Sequence, residues 1–250
     1  VIVDDGSTDG SGKIARATGA RVVALDSNSG YGAALKAGIT ASDSEWVAII
    51  DGDDTYPAEA IPHLAALAAD ADMVVGARSP DDRSIPLVRR PAKWILGRLA
   101  NFLTNRRIPD LNSGLRLMRR SVLKDFLHLM PNGFSFTTTV TLAFLCTDKR
   151  VIYEPITCRE RRGNSKIRPF HFFDFLVLLA RTIVVFNPLR VFLPLGFLLF
   201  SAGLAKLSWD LTSRNVSDGA VMTILAALIV WSVGLLADTT SRLHLRPPAP

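Results

Sequence analysis

The chain has 250 residues, enough for one good-sized core or a core with an appendage. Its net charge of +6 is modest and its basic residues gather at 159–168 and beside the apolar C-terminal runs; with no aromatic-interleaved basic stripe, this points to anionic lipid or phosphate and away from nucleic acid. Cys146 and Cys158 and the four scattered histidines lack metal-ligand spacing, so neither a zinc site nor a disulfide framework is inferred, while a hydrophobic fraction of 48% and a mean hydropathy of +0.25 are high for a wholly soluble protein.

In chain order, Val1 to Val3 reads as a strand, Gly12 to Thr18 as a helix, Arg21 to Leu25 as a strand and Tyr31 to Ala41 as a helix. Strand Trp46 to Ile50, helix Ala58 to Ala69 and strand Met73 to Gly76 follow. This alternation predicts an α/β fold with a parallel, doubly wound sheet that binds ligands at the carboxyl ends of its strands. Acids lie at those ends: Asp4 and Asp5 after the first strand, Asp51 and Asp53 after the third. Because the residues open inside a strand, we expect the domain to be N-terminally incomplete.

After residue 80 the alternation loosens. Phe170 to Phe186 predicts a largely apolar helix lying in a membrane interface. Val191 to Trp209 and Ala220 to Ala237 are apolar runs without a polar face, joined by "DLTSRNVSD", and predict a transmembrane hairpin. Arg181 and Arg190 precede it and Arg242 and Arg246 follow it, against Arg214 alone in the connecting loop, so both ends are expected in the cytoplasm. The expected organisation is an α/β domain over 1–168, a juxtamembrane helix over 169–188, the hairpin over 189–240 and a tail over 241–250.

Several nucleotide and metal signatures fail on spacing. "DGSGKI" has Ser7 and Ile14 where a Walker A loop needs Gly and Ser or Thr; "GYGAAL" has Leu35 at the third glycine of a dinucleotide fingerprint. An EF-hand counted from Asp51 meets Tyr56 and Pro62 where Gly and Glu belong. Asp51-Gly52-Asp53 survives. Carboxylates this close repel unless a cation shares their charge, and at a strand end they suit Mg²⁺ or Mn²⁺ completed by water and a diphosphate, or else a polar turn capping the helix after Pro57.

Six blocks in order, "VIVDDGSTDGS", "NSGYGAALKAG", "IIDGDDTYPAE", "VVGAR", "DLNSGLRLMRRSVL" and "RERRGNSKI", resemble the family 2 glycosyltransferases of the polyprenyl-phosphate type, such as dolichyl-phosphate mannosyltransferase and bactoprenol glucosyltransferase. The resemblance covers residues 1 to about 170, and the hairpin resembles that of bacterial members. It implies a GT-A fold, a divalent cation, a nucleotide-sugar donor, a polyprenyl-phosphate acceptor and inversion at the sugar carbon. It gives Asp4 and Asp5 to the nucleotide, Asp51 and Asp53 to the metal, and Arg78, Arg90, Arg116, Arg161 and Lys166 to the donor and acceptor phosphates. The family's "PxYNE"-like opening segment is absent from these residues, and Thr55 stands where close relatives often carry Gln, so it is not counted as a ligand.

The chemistry agrees with the resemblance. A lipid phosphate is already an anionic nucleophile, so the protein's tasks are to bring two anions together and stabilise the departing diphosphate, which a metal and an arginine cluster do. The expected catalytic residues are Asp53, Asp110 and Arg116; Asp110, just before the "NSG" turn, either orients the acceptor or caps that turn. A membrane adaptor that keeps the fold without catalysis is the rival reading; a processive synthase would need more helices. Self-association is left open.

Overall fold

As far as residue 78, short β-branched and aliphatic runs become strands and the Ala- and Leu-rich runs between them become helices, in the order the alternation predicts. The computed structural model describes residues 1–78, 90–133, 135–159, 181, 184–213 and 216–244. The chain divides into two compact units, one built from residues 1–169 and the other from residues 170–246.

The first unit opens with β1 (Ile2–Asp4), α1 (Ser11–Ala17), β2 (Val22–Ala24), α2 (Tyr31–Ala41) and β3 (Trp46–Ile49). The single helix expected over 58–69 is broken into a 3₁₀ turn, Ala58–Ala60, then α3 (Ile61–Ala66), then a second 3₁₀ turn, Ala68–Asp70. Pro62 explains the first break: it lacks the N–H that would bond the carbonyl of Ala58, and it is tolerated only in the opening turn of a helix, where it sits in α3. β4 (Met73–Arg78), α4 (Arg90–Thr104), β5 (Arg116–Arg119), α5 (Arg120–Phe126), α6 (Phe136–Cys146) and β6 (Val151–Ile156) complete the unit.

The sheet corrects the expectation of an all-parallel arrangement. β1 and β2 pair in parallel, and a separate four-stranded sheet has the order β3-β5-β4-β6, with β4 and β6 parallel and β5 antiparallel to both of its neighbours. Arg116, the first residue of β5, stands opposite Ile49 near the end of β3 and Val75 on β4. The chain thus re-enters the sheet from the edge where β3 is ending, and the segment before β5 is delivered to the carboxyl ends of both neighbours.

Tyr56, Leu64, Val74, Leu115, Leu117 and Ile156 form one buried cluster under α3. On the other side α6 is buried along almost its whole length, with Phe144 tilted against Phe126 at 6.0 Å between ring centroids. Each such large apolar side chain contributes about 1.5–3 kcal/mol.

The second unit contains α7 (Leu189–Thr212) and α8 (Asp218–His244), both long and apolar enough to cross a membrane. Their seam is set by size complementarity. Gly203 lies where a Cβ would fall 2.6 Å from Ile224, and Gly196 and Gly234 make the same room for Trp231 and Phe192. Trp231 is flanked by the rings of Phe197 and Phe200 at 5.0 and 5.3 Å, while Leu198, Ile229 and Leu236 point outward. At the closed end, Asp210 accepts bonds from the amide and hydroxyl of Ser217 and from Lys206. Of the interfacial helix expected over 170–186, only Arg181 and Val184–Phe186 are among the described residues, and these are helical.

Candidate functional site

Strand ends bring the expected acids to one edge of the first unit. At the end of β1, Asp4 accepts the amide of Ser7 at 3.0 Å, and hydrogen bonding from Ser7 holds its carboxyl below the usual range. Asp5 accepts the amides of Ser29 at 2.7 Å and Gly30 at 3.0 Å, which ties the start of α2 to the end of β1. The amides of Gly32 and Ala33 donate to the carbonyl of Asn132 from the far side, and Lys36 bonds the Asn132 side chain at 2.8 Å. The amides of Gly30, Gly32 and Ala33 at the start of α2 are satisfied in this way by two loops.

The apolar run of β3 stops at the turn carrying Asp51 and Asp53. Asp51 Oδ1 accepts the hydroxyl of Tyr31, the first residue of α2, at 2.9 Å. Asp53 accepts the amide of Thr55 at 3.2 Å. Gly114 approaches Asp51 so closely that a Cβ there would lie 2.3 Å from Asp51 Oδ2 and 2.8 Å from the ring of Tyr56. Glycine in the "NSG" turn is therefore a requirement of contact with the acid. Its neighbours complete the wall: Ser113 donates to the carbonyl of Gly76, and Thr138 on α6 donates to Asn112 Oδ1, both at 2.5 Å.

Behind the turn, Arg78 at the end of β4 forms a two-pronged pair with Asp110, Nε to Oδ2 at 2.7 Å and Nη2 to Oδ1 at 2.9 Å. Asp110 also accepts the amides of Arg78 and Asn112, and is only 3% exposed. Burial pushes its carboxyl up, but the hydrogen bonds and charge of Arg78 outweigh burial and hold it below the ordinary value; the same pair raises the Arg78 guanidinium. Tyr56 lies among Asp51, Arg78 and Asp110, and burial raises its phenol.

Arg116 is placed differently from expectation. It is wholly buried, and its guanidinium donates to the carbonyls of Ser113 at 2.8 Å and Leu111 at 2.7 Å and to the hydroxyl of Thr141. A side chain with no exposure and its donors directed at the backbone of the 111–113 turn shapes the wall from inside and presents no surface to an acceptor phosphate. Desolvation lowers its pKa, the cost of keeping this charge in the core. Arg90 begins α4, and its side chain is outside the described set, as are Arg161 and Lys166 entirely.

Other residues emerged only from the geometry. Arg159, read as one charge in a basic run, donates to Asp54 at 2.7 Å and Glu59 at 2.9 Å, and its amide bonds the carbonyl of Thr55, so the chain after β6 is fastened to the acidic turn. Asp54 is in the left-handed region at φ 59°. Tyr31 carries one signal in the sequence, its place at the N-terminus of a predicted helix that follows a strand, whereas the glycines of "GYGAAL" draw attention to a dinucleotide fingerprint.

Among the described residues no cluster of three or more His, Cys, Asp or Glu could hold a metal. Two carboxylates one residue apart are an incomplete, hard-oxygen donor set, which fits Mg²⁺ or Mn²⁺ only when a diphosphate and water supply further oxygens.

Comparison with known proteins follows the same division of the chain. Residues 1–127 match Glycosyl transferase family 2, and residues 187–243 match the GtrB C-terminal hairpin. The dolichyl-phosphate hexose transferase of Haloferax volcanii is 35% identical over 172 residues, covering 68% of this chain and 74% of the relative. The undecaprenyl-phosphate 4-deoxy-4-formamido-L-arabinose transferase of Edwardsiella ictaluri is 30% identical over 264 residues, covering 98% and 79%. Glucosyl-3-phosphoglycerate synthase from Mycobacterium tuberculosis, in complex with Mn²⁺, UDP-glucose and phosphoglyceric acid, superposes with a TM-score of 0.52 at 23% identity, covering 75% of this chain and 66% of that one.

Proposed function

The chain belongs to glycosyl transferase family 2, and from that premise we propose that it transfers a sugar from a UDP- or GDP-sugar to a polyprenyl phosphate, undecaprenyl or dolichyl, with inversion at the sugar carbon, at the cytoplasmic face of a membrane. The observation that carries this reading is the joining, in one chain, of a family 2 domain bearing the Asp51-Gly52-Asp53 turn to an apolar hairpin. The names of the dolichyl-phosphate and undecaprenyl-phosphate relatives support the acceptor class. The Mn²⁺ and UDP-glucose of the mycobacterial synthase suit the chemistry of the two acids.

An oxygen of the lipid phosphate attacks the anomeric carbon as the bond from that carbon to the nucleoside diphosphate breaks, and the electron pair leaves on the diphosphate. The acceptor needs no strong base, because it is already ionised near neutral pH. Asp51 and Asp53 hold the divalent cation, Mg²⁺ or Mn²⁺, which when bound neutralises the departing diphosphate. Asp4 and Asp5 shape the nucleotide end, and Arg78 borders the donor. Arg90, Arg161 and Lys166 draw the acceptor phosphate as charge-assisted donors. Asp110 and Arg116 act from within, by fixing the 110–114 turn.

The test uses the purified full-length chain with labelled UDP- and GDP-hexoses and undecaprenyl or dolichyl phosphate. Label should enter the organic phase, stop in EDTA and return with Mg²⁺ or Mn²⁺. Asp51→Asn and Asp53→Asn should each lower transfer by roughly 100-fold, a barrier increase of about 2.7 kcal/mol. Neutralising Arg161 or Lys166 should raise the KM for lipid phosphate more than that for the donor. Unimpaired transfer by both Asp variants in chelator would overturn the metal assignment, and label moving only to a water-soluble acceptor would overturn the lipid one.

A further inference from the structure

Beyond the expected site residues, one contact of the acidic turn has no part in the reading above. The Tyr31 hydroxyl donates to Asp51 Oδ1 at 2.9 Å, across 20 positions of sequence and from a different element. Its place is fixed from both sides, by Asp5 bonding the amides of Ser29 and Gly30 just ahead of it and by the Asn132 carbonyl bonding those of Gly32 and Ala33 just after it. The opposite oxygen of the same carboxylate lies against the Gly114 backbone, in space that a Cβ would have filled. Asp51 thus takes a hydrogen bond at one oxygen and close backbone packing at the other, and Asp53 accepts the amide of Thr55 within the same turn.

We infer that Tyr31 is a positioning residue for the metal carboxylate: it fixes the orientation of Asp51 before the cation arrives, so that no side-chain freedom has to be lost on binding. This rests on the reading of Asp51 and Asp53 as the metal pair. The phenol suits the task because an ordinary tyrosine hydroxyl, with a pKa of about 10, stays protonated near neutral pH and so remains a donor. A hydrogen bond from a neutral donor to a ligating carboxylate orients the ligand while leaving its charge in place, and loss of such supporting contacts typically weakens metal affinity 10–100-fold.

The experiment titrates Mn²⁺ into the detergent-purified full-length chain with UDP or GDP present, reading free Mn²⁺ by its electron paramagnetic resonance signal. Tyr31→Phe keeps the ring and removes only the hydroxyl; it should weaken Mn²⁺ binding by about tenfold or more while the thermal midpoint stays near that of the parent. Tyr31→His, which returns an N–H donor, should recover part of the loss, and it carries the comparison if the Phe variant does not fold. Asp51→Asn, measured alongside, should abolish the tight site. Parent-like affinity in Tyr31→Phe with loss in Asp51→Asn overturns the positioning role and leaves the metal reading standing. Parent-like affinity in Asp51→Asn overturns the metal reading and this inference with it.

Discussion

Arg78 and Asp110 show what a residue type alone conceals. An arginine near the end of a strand in a phosphate-handling protein reads as a phosphate ligand, yet here it closes a two-pronged pair with an acid that is 3% exposed. Removing one partner of such a pair leaves an uncompensated buried charge, so Arg78→Gln should cost about 3–5 kcal/mol at neutral pH. The pH dependence follows from the depressed carboxyl of Asp110. Its stabilising share is present above the unfolded-state value and is lost as pH falls through the lower native one. In Arg78→Gln burial dominates, the native value rises, and protonation relieves the penalty. The stability gap between parent and variant should therefore narrow from pH 7 toward pH 4, checked by thermal unfolding at both; a gap that widens on acidification would contradict this origin. The Asp-Gly-Asp turn was legible because carboxylates crowded at a strand end are chemically conspicuous. Burial of Arg116 was not: its three neighbours in β5 include one more arginine, and no alternation marks which charge points inward.

At the scale of elements, α2 was read from the sequence with the same limits it has in the structure, because Gly30 breaks the chain before it and a uniform Ala-rich run follows. What the run does not encode is its docking. A Cβ on Gly32 would lie 2.1 Å from the carbonyl oxygen of Pro131, so Gly32→Ala should push the 131–133 loop off the helix start. The expected loss is about 1–3 kcal/mol, as for other overpacked contacts, with Tyr31 displaced as a result. Thermal unfolding measures the first effect, and Mn²⁺ affinity falling with it measures the second. The antiparallel β5 escaped sequence reading for a different reason. Strand direction is decided by where a long connection returns to the sheet, and the alternation of helix and strand types is the same either way. Pro62 was legible as a helix-starting residue but was absorbed into a longer apolar pattern.

For the molecule as a whole, the two C-terminal helices are long and apolar enough to cross a membrane. The arginine bias at their flanks predicts that both ends are cytoplasmic, where nucleotide sugars are found. With Cys146 and Cys158 replaced, a cysteine at Asn215 should react with an impermeant maleimide added from outside intact cells; reaction only after the cytoplasmic side is opened would reverse the assignment. The hairpin was legible because both runs are long, apolar and without a polar face. α6 is the instructive contrast. It is apolar and buried, yet it has 11 residues and carries Thr137, Thr138, Thr139 and Thr141. At about 1.5 Å per residue it reaches only about half of a hydrocarbon core some 30 Å thick. A segment this short cannot bridge the hydrocarbon by itself, so its apolar surface goes into the core of the first unit, and there the hydroxyls of Thr138 and Thr141 brace the turn beside the acids.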